Sequence, residues 1–217
     1  KYNMLIACPE FSTKKYPGAR WYQEGNVQDK EGEEGTIQPR NHWSFDAVNH
    51  IVAAVRARTH AKGKVIIFGH SAGGQFMHRY SLLDGRADVD AIVCANAGWF
   101  TMPDDTTCYP YGTKGLGLSD ADLASAFALP VIMLMGSEDV SREQPFCATP
   151  EADAQGKNRM ERCLHYFDAC QKKAEELGVP FNWKKGVVEG AAHEGGKMAE
   201  GAMKLFCEEP LDETVGM

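Results

Sequence analysis

Residues 64–83 read KVIIFGHSAGGQFMHRYSLL, and this stretch gives the strongest indication of the fold. Its start, KVIIF, is an apolar run of the kind found in strands that are buried on both faces of a parallel sheet. The small residues of GHSAGG then predict a sharp turn, and QFMHRYSLL predicts a helix. The stretch therefore predicts a strand, a turn and a helix, which together open a βαβ unit.

The same alternation continues along the chain. Further strands are predicted at 90–95 (DAIVCA), 131–135 (VIMLM) and 181–188 (FNWKKGVV), and helices at about 44–59, 160–177 and 195–207. Apolar strands that alternate with helices predict an α/β fold, a mostly parallel sheet with helices on both faces. No repeat or linker divides the pattern, so residues 1–217 are predicted to form a single domain.

The N-terminal part is less regular. Residues 2–8 (YNMLIAC) are an apolar run that ends at Pro9, and they predict another buried strand. Residues 10–41 are polar and show no periodicity, which indicates either a binding loop or a flexible excursion. Ser44 is predicted to cap the helix that follows, with Trp43 packing onto Val48.

Composition narrows the function classes. The 23 lysines and arginines stand against 30 aspartates and glutamates, a net charge of −7, and no basic stripe marks a predicted helix. Nucleic acid is therefore not an expected partner. No apolar run reaches the length of a membrane span, and residues 1–20 lack a secretory-signal pattern, so no compartment is predicted.

The seven cysteines show no C-x-x-C pair and no Cys/His cluster at zinc spacing, so we expect no metal site. Five of them lie in apolar runs, where a cysteine acts as a small hydrophobic residue. Cys108 and Cys147 instead fall in loop-like segments and could pair in an oxidising compartment.

Ser71 is the candidate nucleophile. It lies in Gly69-x-Ser71-x-Gly73, between a buried strand and a helix, which is the context of a nucleophile elbow. Small residues must flank such a serine, and we expect Gly69 and Gly73 to let the strand and helix backbones approach. His70, beside the serine, is predicted to pack or line the site rather than act as a base.

A serine nucleophile needs a base and a carboxylate that orients the base. Asp139 follows the strand VIMLM and is the preferred acid, with Glu138 as the alternative. His193 lies in the loop between the last strand and the last helix, and is the one histidine at a strand end downstream of the acid. The parallel strands should bring Ser71, Asp139 and His193 to one edge of the sheet.

These motifs resemble the α/β-hydrolase superfamily over essentially the whole chain. Within it, residues 8–11 (CPEF), 43–45 (WSF) and the Ser-Ala-Gly-Gly turn are similar to the polyhydroxybutyrate-depolymerase and feruloyl-esterase-like branch. The resemblance implies an α/β-hydrolase fold and a serine esterase without a cofactor. It also implies Ser71 as nucleophile, His193 as base and then acid, Asp139 as the orienting acid, and the Ala72 amide as an oxyanion donor.

The sequence departs from that superfamily at one point. Members normally carry a further strand and helix before the strand predicted at 2–8, and a loop there supplies a second oxyanion amide. Nothing in the chain matches that loop. We therefore expect N-terminal strands of the fold to be missing from this sequence. The alternative is a backbone amide near Phe11 and Ser12 that replaces the donor.

The segment at about 99–129 is an aromatic excursion placed where hydrolases build lids. Its Trp99 and Tyr111 either line the cleft or form a small satellite core, and Phe11 is a third candidate substrate contact. The predicted substrate is a small-molecule or polymeric ester. An amidase or peptidase with the same triad, and a non-catalytic binding protein, remain alternatives.

Overall fold

Four parallel strands form the sheet in a computed structural model of the chain, which describes residues 4–86, 88–143 and 146–207. The strands are β1 Ile66–His70, β2 Ala91–Ala95, β3 Val131–Gly136 and β4 Lys184–Val188, and they lie side by side in chain order. Each neighbouring pair is parallel, so the carboxyl ends of all four point to the same edge. The predicted α/β class is confirmed.

Seven α-helices alternate with the strands in the described residues. They are α1 Gly18–Trp21, α2 Asp46–Thr59, α3 Ala72–Leu83, α4 Asp120–Phe127, α5 Pro150–Gln155, α6 Arg159–Leu177 and α7 Gly195–Cys207, with a 3-10 helix at Arg40–His42. The helices predicted from apolar spacing are present within two or three residues of their expected bounds. The short helices α1, α4 and α5 were not predicted, because a helix of eight residues or fewer shows too little periodicity.

Alternate side chains of the central strands enter two separate cores. Ile92 and Cys94 of β2 belong to the larger core, which also includes residues of α3, α4 and α6. Val93 and Ala95 point to the opposite face, where Met198 of α7 covers them. Because both faces are covered, β2 and β3 are buried along their whole length, whereas the edge strand β4 carries exposed Lys184 and Lys185. Helices lie on both faces, as predicted.

The predicted strand at 2–8 is not a strand where the structure describes it. Residues 4–8 are irregular, and Met4, Leu5 and Ile6 are 42%, 57% and 77% exposed; residues 2 and 3 lie outside the described part. No described strand pairs with the outer edge of β1. An apolar run is buried in a sheet only when it pairs with a neighbouring strand. Residues 4–8 pair with no strand among the described residues.

The predicted Ser44 cap is also wrong. Helix α2 begins one residue later, with Phe45 at the cap position and no side-chain cap. The Ser44 amide donates to the Gly25 carbonyl at 2.8 Å, and its hydroxyl is buried with no hydrogen-bond partner among the described residues. The bond to Gly25 holds Ser44 in the preceding loop, away from the free amides of α2.

The long segment 10–41 folds back on itself. Gln28 is fully buried, pairs with Ile37 in an antiparallel bridge, and donates from its side chain to the Glu33 carbonyl at 2.6 Å. The Glu24 carboxylate accepts the Gly32 amide at 3.0 Å. Side-chain bonds thus replace regular structure in this loop, which explains why it shows no periodicity.

Only the first part of the aromatic excursion is irregular. Its end, α4, packs against α3 and α6 and places Leu123 and Phe127 in the larger core. Cys108 and Cys147 are both free thiols. Across residues 4–86, 88–143 and 146–207, no helix has the length and apolar character that a bilayer crossing requires.

Candidate active site

Ser71 occupies the tight turn between β1 and α3. Its φ of +56° and ψ of −113° lie outside the conformations that serine normally adopts, and its amide donates to the Ala95 carbonyl at 2.9 Å. A Cβ on Gly69 would lie 2.3 Å from the Gly73 carbonyl oxygen, so Gly69 is needed for close approach, as predicted. The second such glycine is Gly74, whose Cβ would lie 2.5 Å from the Ala95 oxygen.

Gly73 has a different environment from the one predicted. A Cβ there would lie 3.3 Å from the Tyr22 hydroxyl and, beyond its own turn of helix, would meet no backbone of a described residue within 4 Å. The sequence pattern predicted the close contact at Gly73, the second glycine of the motif. In the structure the close contact with β2 is made by the next residue, Gly74. The register of α3 against the end of β2 decides this, and no local pattern reveals it.

The structure brings Ser71, His193 and Asp139 together. His193 Nε2 lies 2.9 Å from Ser71 Oγ, and His193 Nδ1 lies 2.7 Å from Asp139 Oδ2. With the proton on Nδ1 donated to the carboxylate, Nε2 is free to accept from the serine hydroxyl. Asp139 is 2% exposed, whereas the alternative acid, Glu138, is exposed on the surface.

The second carboxylate oxygen of Asp139, Oδ1, also accepts a hydrogen bond. Arg159 Nη1 donates to Asp139 Oδ1 at 3.2 Å, and both side chains are buried. The guanidinium of Arg159 lies 5.2 Å from the centre of the Phe146 ring. Sequence reasoning missed Arg159, because an arginine in the first turn of a helix is typical of a solvated face.

Asn96 ties together the two loops that carry the acid and the histidine. Its side chain accepts the Gly136 amide at 2.8 Å and donates to the Ala192 carbonyl at 3.1 Å. Asn96 follows β2 with a φ of +46°, a left-handed conformation that asparagine tolerates better than most residues. This residue, which the sequence analysis missed, fixes the distance between the end of β3 and the loop of His193.

His70 packs against the ring of His193, as predicted. The two ring centres are 4.7 Å apart. Burial, together with the nearby His193, lowers the pKa of His70 from 6.5 to about 4, so His70 is neutral at physiological pH. A neutral ring here adds no positive charge beside His193.

The Ala72 amide is available to bind an anion. Ala72 is the first residue of α3, so its N–H has no partner within the helix, and Ser71 makes no side-chain cap. The partial positive charge of a helix N-terminus favours negative charge at this position. The predicted oxyanion donor thus lies immediately after Ser71.

A surface groove of about 410 Å³ lies beside this helix. Its lining residues are Pro9, Phe11, Thr13, Tyr16, Gly18 and Tyr22. The Phe11 ring contacts Phe76 of α3 at 5.4 Å between centres, which places the groove against the helix that carries Ser71 at its start. Phe11, a predicted substrate contact, therefore lines an open groove.

Trp99 and Tyr111 do not line this groove. Their ring centres are 4.5 Å apart, and they form a small separate cluster with Ala152 in which both are buried. Tyr111 Oη lies 2.8 Å from Thr149 Oγ1, and the Arg79 guanidinium lies 4.2 Å from the Trp99 ring centre. The two rings therefore form the small satellite core that the sequence analysis gave as the alternative to lining the cleft.

Neither a family model nor a curated protein matches the chain. Among solved structures, poly(aspartic acid) hydrolase-1 from Sphingomonas sp. KT-1 matches with a TM-score of 0.83 and 36% identity, over 91% of this chain and 74% of that one. The chain belongs to the α/β-hydrolase superfamily. LpqC, a poly(3-hydroxybutyrate) depolymerase from Bordetella parapertussis, matches this α/β-hydrolase with a TM-score of 0.82 and 34% identity, over 92% of this chain and 67% of that one.

The resemblance seen in the motifs is therefore confirmed, and it indicates that this α/β-hydrolase is an enzyme of the esterase or depolymerase type. A ferulic acid esterase also matches, but at 13% identity and a TM-score of 0.41. That likeness is too distant to carry an argument about substrate.

Proposed function

We propose that the chain hydrolyses carboxylic esters through an acyl-enzyme formed on Ser71. The observation that carries the proposal is the continuous chain of contacts from Ser71 Oγ to His193 Nε2 at 2.9 Å and from His193 Nδ1 to Asp139 Oδ2 at 2.7 Å. A nucleophile, a base and an orienting acid in this geometry are what acyl transfer requires.

In the proposed reaction, Ser71 Oγ attacks the ester carbonyl carbon while its proton moves to His193 Nε2. Asp139 stabilises the imidazolium, and the Ala72 amide donates to the negatively charged oxygen. The bond to the alcohol then breaks, and the leaving oxygen takes the proton from His193. Water, activated by His193, attacks the acyl-serine and releases the carboxylic acid. The scheme uses no metal or organic cofactor.

An amide substrate is the second candidate. The match at 36% identity is to a hydrolase of poly(aspartic acid), a polymer whose units are joined by amide bonds, whereas the match at 34% is to a depolymerase of a polyester. The same three residues serve both reactions. Ester and amide substrates with the same acyl group, compared by kcat/KM, would distinguish the two, and we expect the ester to be preferred.

The Ser71→Ala variant tests the mechanism. We expect it to abolish turnover of p-nitrophenyl esters with an unchanged circular dichroism spectrum, and we expect a fluorophosphonate probe to label the unaltered protein at Ser71. Activity that persists in the variant would refute the role of Ser71. Failure of the unaltered protein to label would favour a non-catalytic binding protein.

Among the predicted substrate contacts, Phe11 is supported by its place in the groove. We expect Phe11→Ala to raise KM. For Trp99 and Tyr111, a substrate contact stays a prediction, because both are buried against each other. A change in KM for Tyr111→Phe, which removes one hydroxyl, would indicate such a contact.

A further inference from the structure

Tyr22 is held against the helix that begins at the nucleophile. It follows α1, and its ring is stacked on Phe76 of α3 with 5.4 Å between centres and an interplanar angle of 18°. Phe11 contacts the same ring at 5.0 Å, and Phe76 is fully buried. Packing on both partners leaves the ring little freedom, so the position of its hydroxyl is well defined.

That hydroxyl lies over the first turn of α3. It is 3.3 Å from the position that a Cβ on Gly73 would occupy, and Gly73 directly follows Ala72, whose amide is the proposed oxyanion donor. Tyr22 also lines the groove. Its O–H group is thus in the same region as the free amide at the start of α3.

The Tyr22 hydroxyl has no hydrogen-bond partner in the part of the chain that the structure describes. The hydroxyls of three other tyrosines each bond to a named partner: Tyr80 to Asn49, Tyr109 to the Glu24 carbonyl, and Tyr111 to Thr149. Tyr22 has no such bond to a described residue. Burial raises its pKa above the usual 10.0, so it stays protonated and able to donate.

We propose that Tyr22 donates a hydrogen bond to the reacting carbonyl oxygen of the substrate, as an additional side-chain donor beside the Ala72 amide. The inference rests on the proposed function and assigns a further catalytic residue to it. Negative charge develops on that oxygen in the tetrahedral intermediate, and a donor placed in advance is worth more there than in the ground state.

Tyr22→Phe tests this proposal, because it removes one oxygen atom and keeps the stacked ring. Loss of one oxyanion donor typically lowers kcat by about 10²–10³-fold, and we expect a fall in this range for p-nitrophenyl butyrate, with KM changed less than about threefold. The matched control is Tyr166→Phe, which removes a hydroxyl that is buried in the larger core and lines no part of the groove. We expect its kcat to stay within about twofold of the unaltered protein.

A boronic acid that mimics the tetrahedral intermediate separates a donor from a structural role. Tyr22→Phe should weaken its binding by the same factor as kcat/KM, whereas a distorted site would raise KM as well. If Tyr22→Phe has the kcat and boronate affinity of the unaltered protein, the proposal is refuted. If the unaltered protein fails to label with a fluorophosphonate, the proposed function itself fails, so the two failures are distinguishable.

Discussion

Arg159 and His193 hold opposite oxygens of one carboxylate: Arg159 Nη1 donates to Asp139 Oδ1 at 3.2 Å, and His193 Nδ1 faces Oδ2 at 2.7 Å. The side chains of Arg159 and Asp139 are only 5% and 2% exposed. A carboxylate buried this deeply needs compensation, and Arg159 provides it while leaving the second oxygen for the imidazole.

Removing Arg159 should therefore destabilise the fold. Arg159→Met would leave the Asp139 charge buried without its cationic partner, and we expect a loss of about 3–5 kcal/mol in the free energy of unfolding, measured by urea denaturation. The control is Arg142→Met. Arg142 also lies against Phe146, but its ion pair with Asp153 is more than 40% exposed on both sides, so we expect a loss below about 1 kcal/mol.

A double variant checks the cause. If the cost of Arg159→Met comes from the unpaired carboxylate, adding Asp139→Asn should recover part of it. Equal stabilities for Arg159→Met and Arg142→Met would contradict this account of the pair.

Asp139 and Glu138 should differ sharply in catalysis. Asp139→Asn keeps the size of the side chain but favours the wrong tautomer of His193, and we expect kcat for an ester to fall by about 10⁴-fold. Glu138→Gln alters an exposed side chain and should change kcat less than about threefold. The reverse order would place the catalytic acid one residue earlier.

His70 should make stability depend on pH. Its pKa is about 4 in the folded protein, lowered from 6.5 mainly by burial, so between these values the unfolded chain binds a proton that the folded one does not. The free energy of unfolding should thus fall as pH drops from 6.5 to 4 and be flat above 6.5 with respect to this group.

Melting temperatures of the unaltered protein and of His70→Asn, measured across this pH range, test the point. The buried His78, whose pKa burial also lowers, contributes in the same direction to both proteins, so their difference isolates His70. We expect a shallower slope in the variant. Parallel curves would show that His70 does not carry the effect.

Gly74 should tolerate substitution less well than Gly73. A Cβ on Gly74 would meet the Ala95 backbone at 2.5 Å, so Gly74→Ala must displace α3 or β2, and we expect a loss of about 1–3 kcal/mol in the free energy of unfolding. The Cβ of Gly73→Ala would lie 3.3 Å from the Tyr22 hydroxyl, a contact that a shift of a few tenths of an ångström relieves. Thermal denaturation that ranks Gly73→Ala as the less stable protein would contradict the contact.

Much of the fold could be predicted from local pattern. The apolar runs at β2 and β3, and the spacing of three and four in α6 and α7, depend on neighbours close in sequence. The exposure of residues 4–8 could not be predicted in this way, because it depends on which strand lies beside them. The predicted Ser44 cap was wrong for a similar reason, since the bond of the Ser44 amide to the Gly25 carbonyl overrides a local capping preference.

Local patterns in the sequence predicted the reacting groups of the site: a serine in a tight turn, and an acid and a histidine each at the end of a strand, in the order Ser71, Asp139, His193. The groups that support these residues could be identified in the folded chain alone. Arg159 and Asn96 reach the acid and the histidine loop from other parts of the chain, and Tyr22 lies beside the first turn of α3, so their roles depend on distances across the fold. Sequence patterns report local periodicity, whereas hydrogen bonds and charge compensation act between residues that only folding brings together.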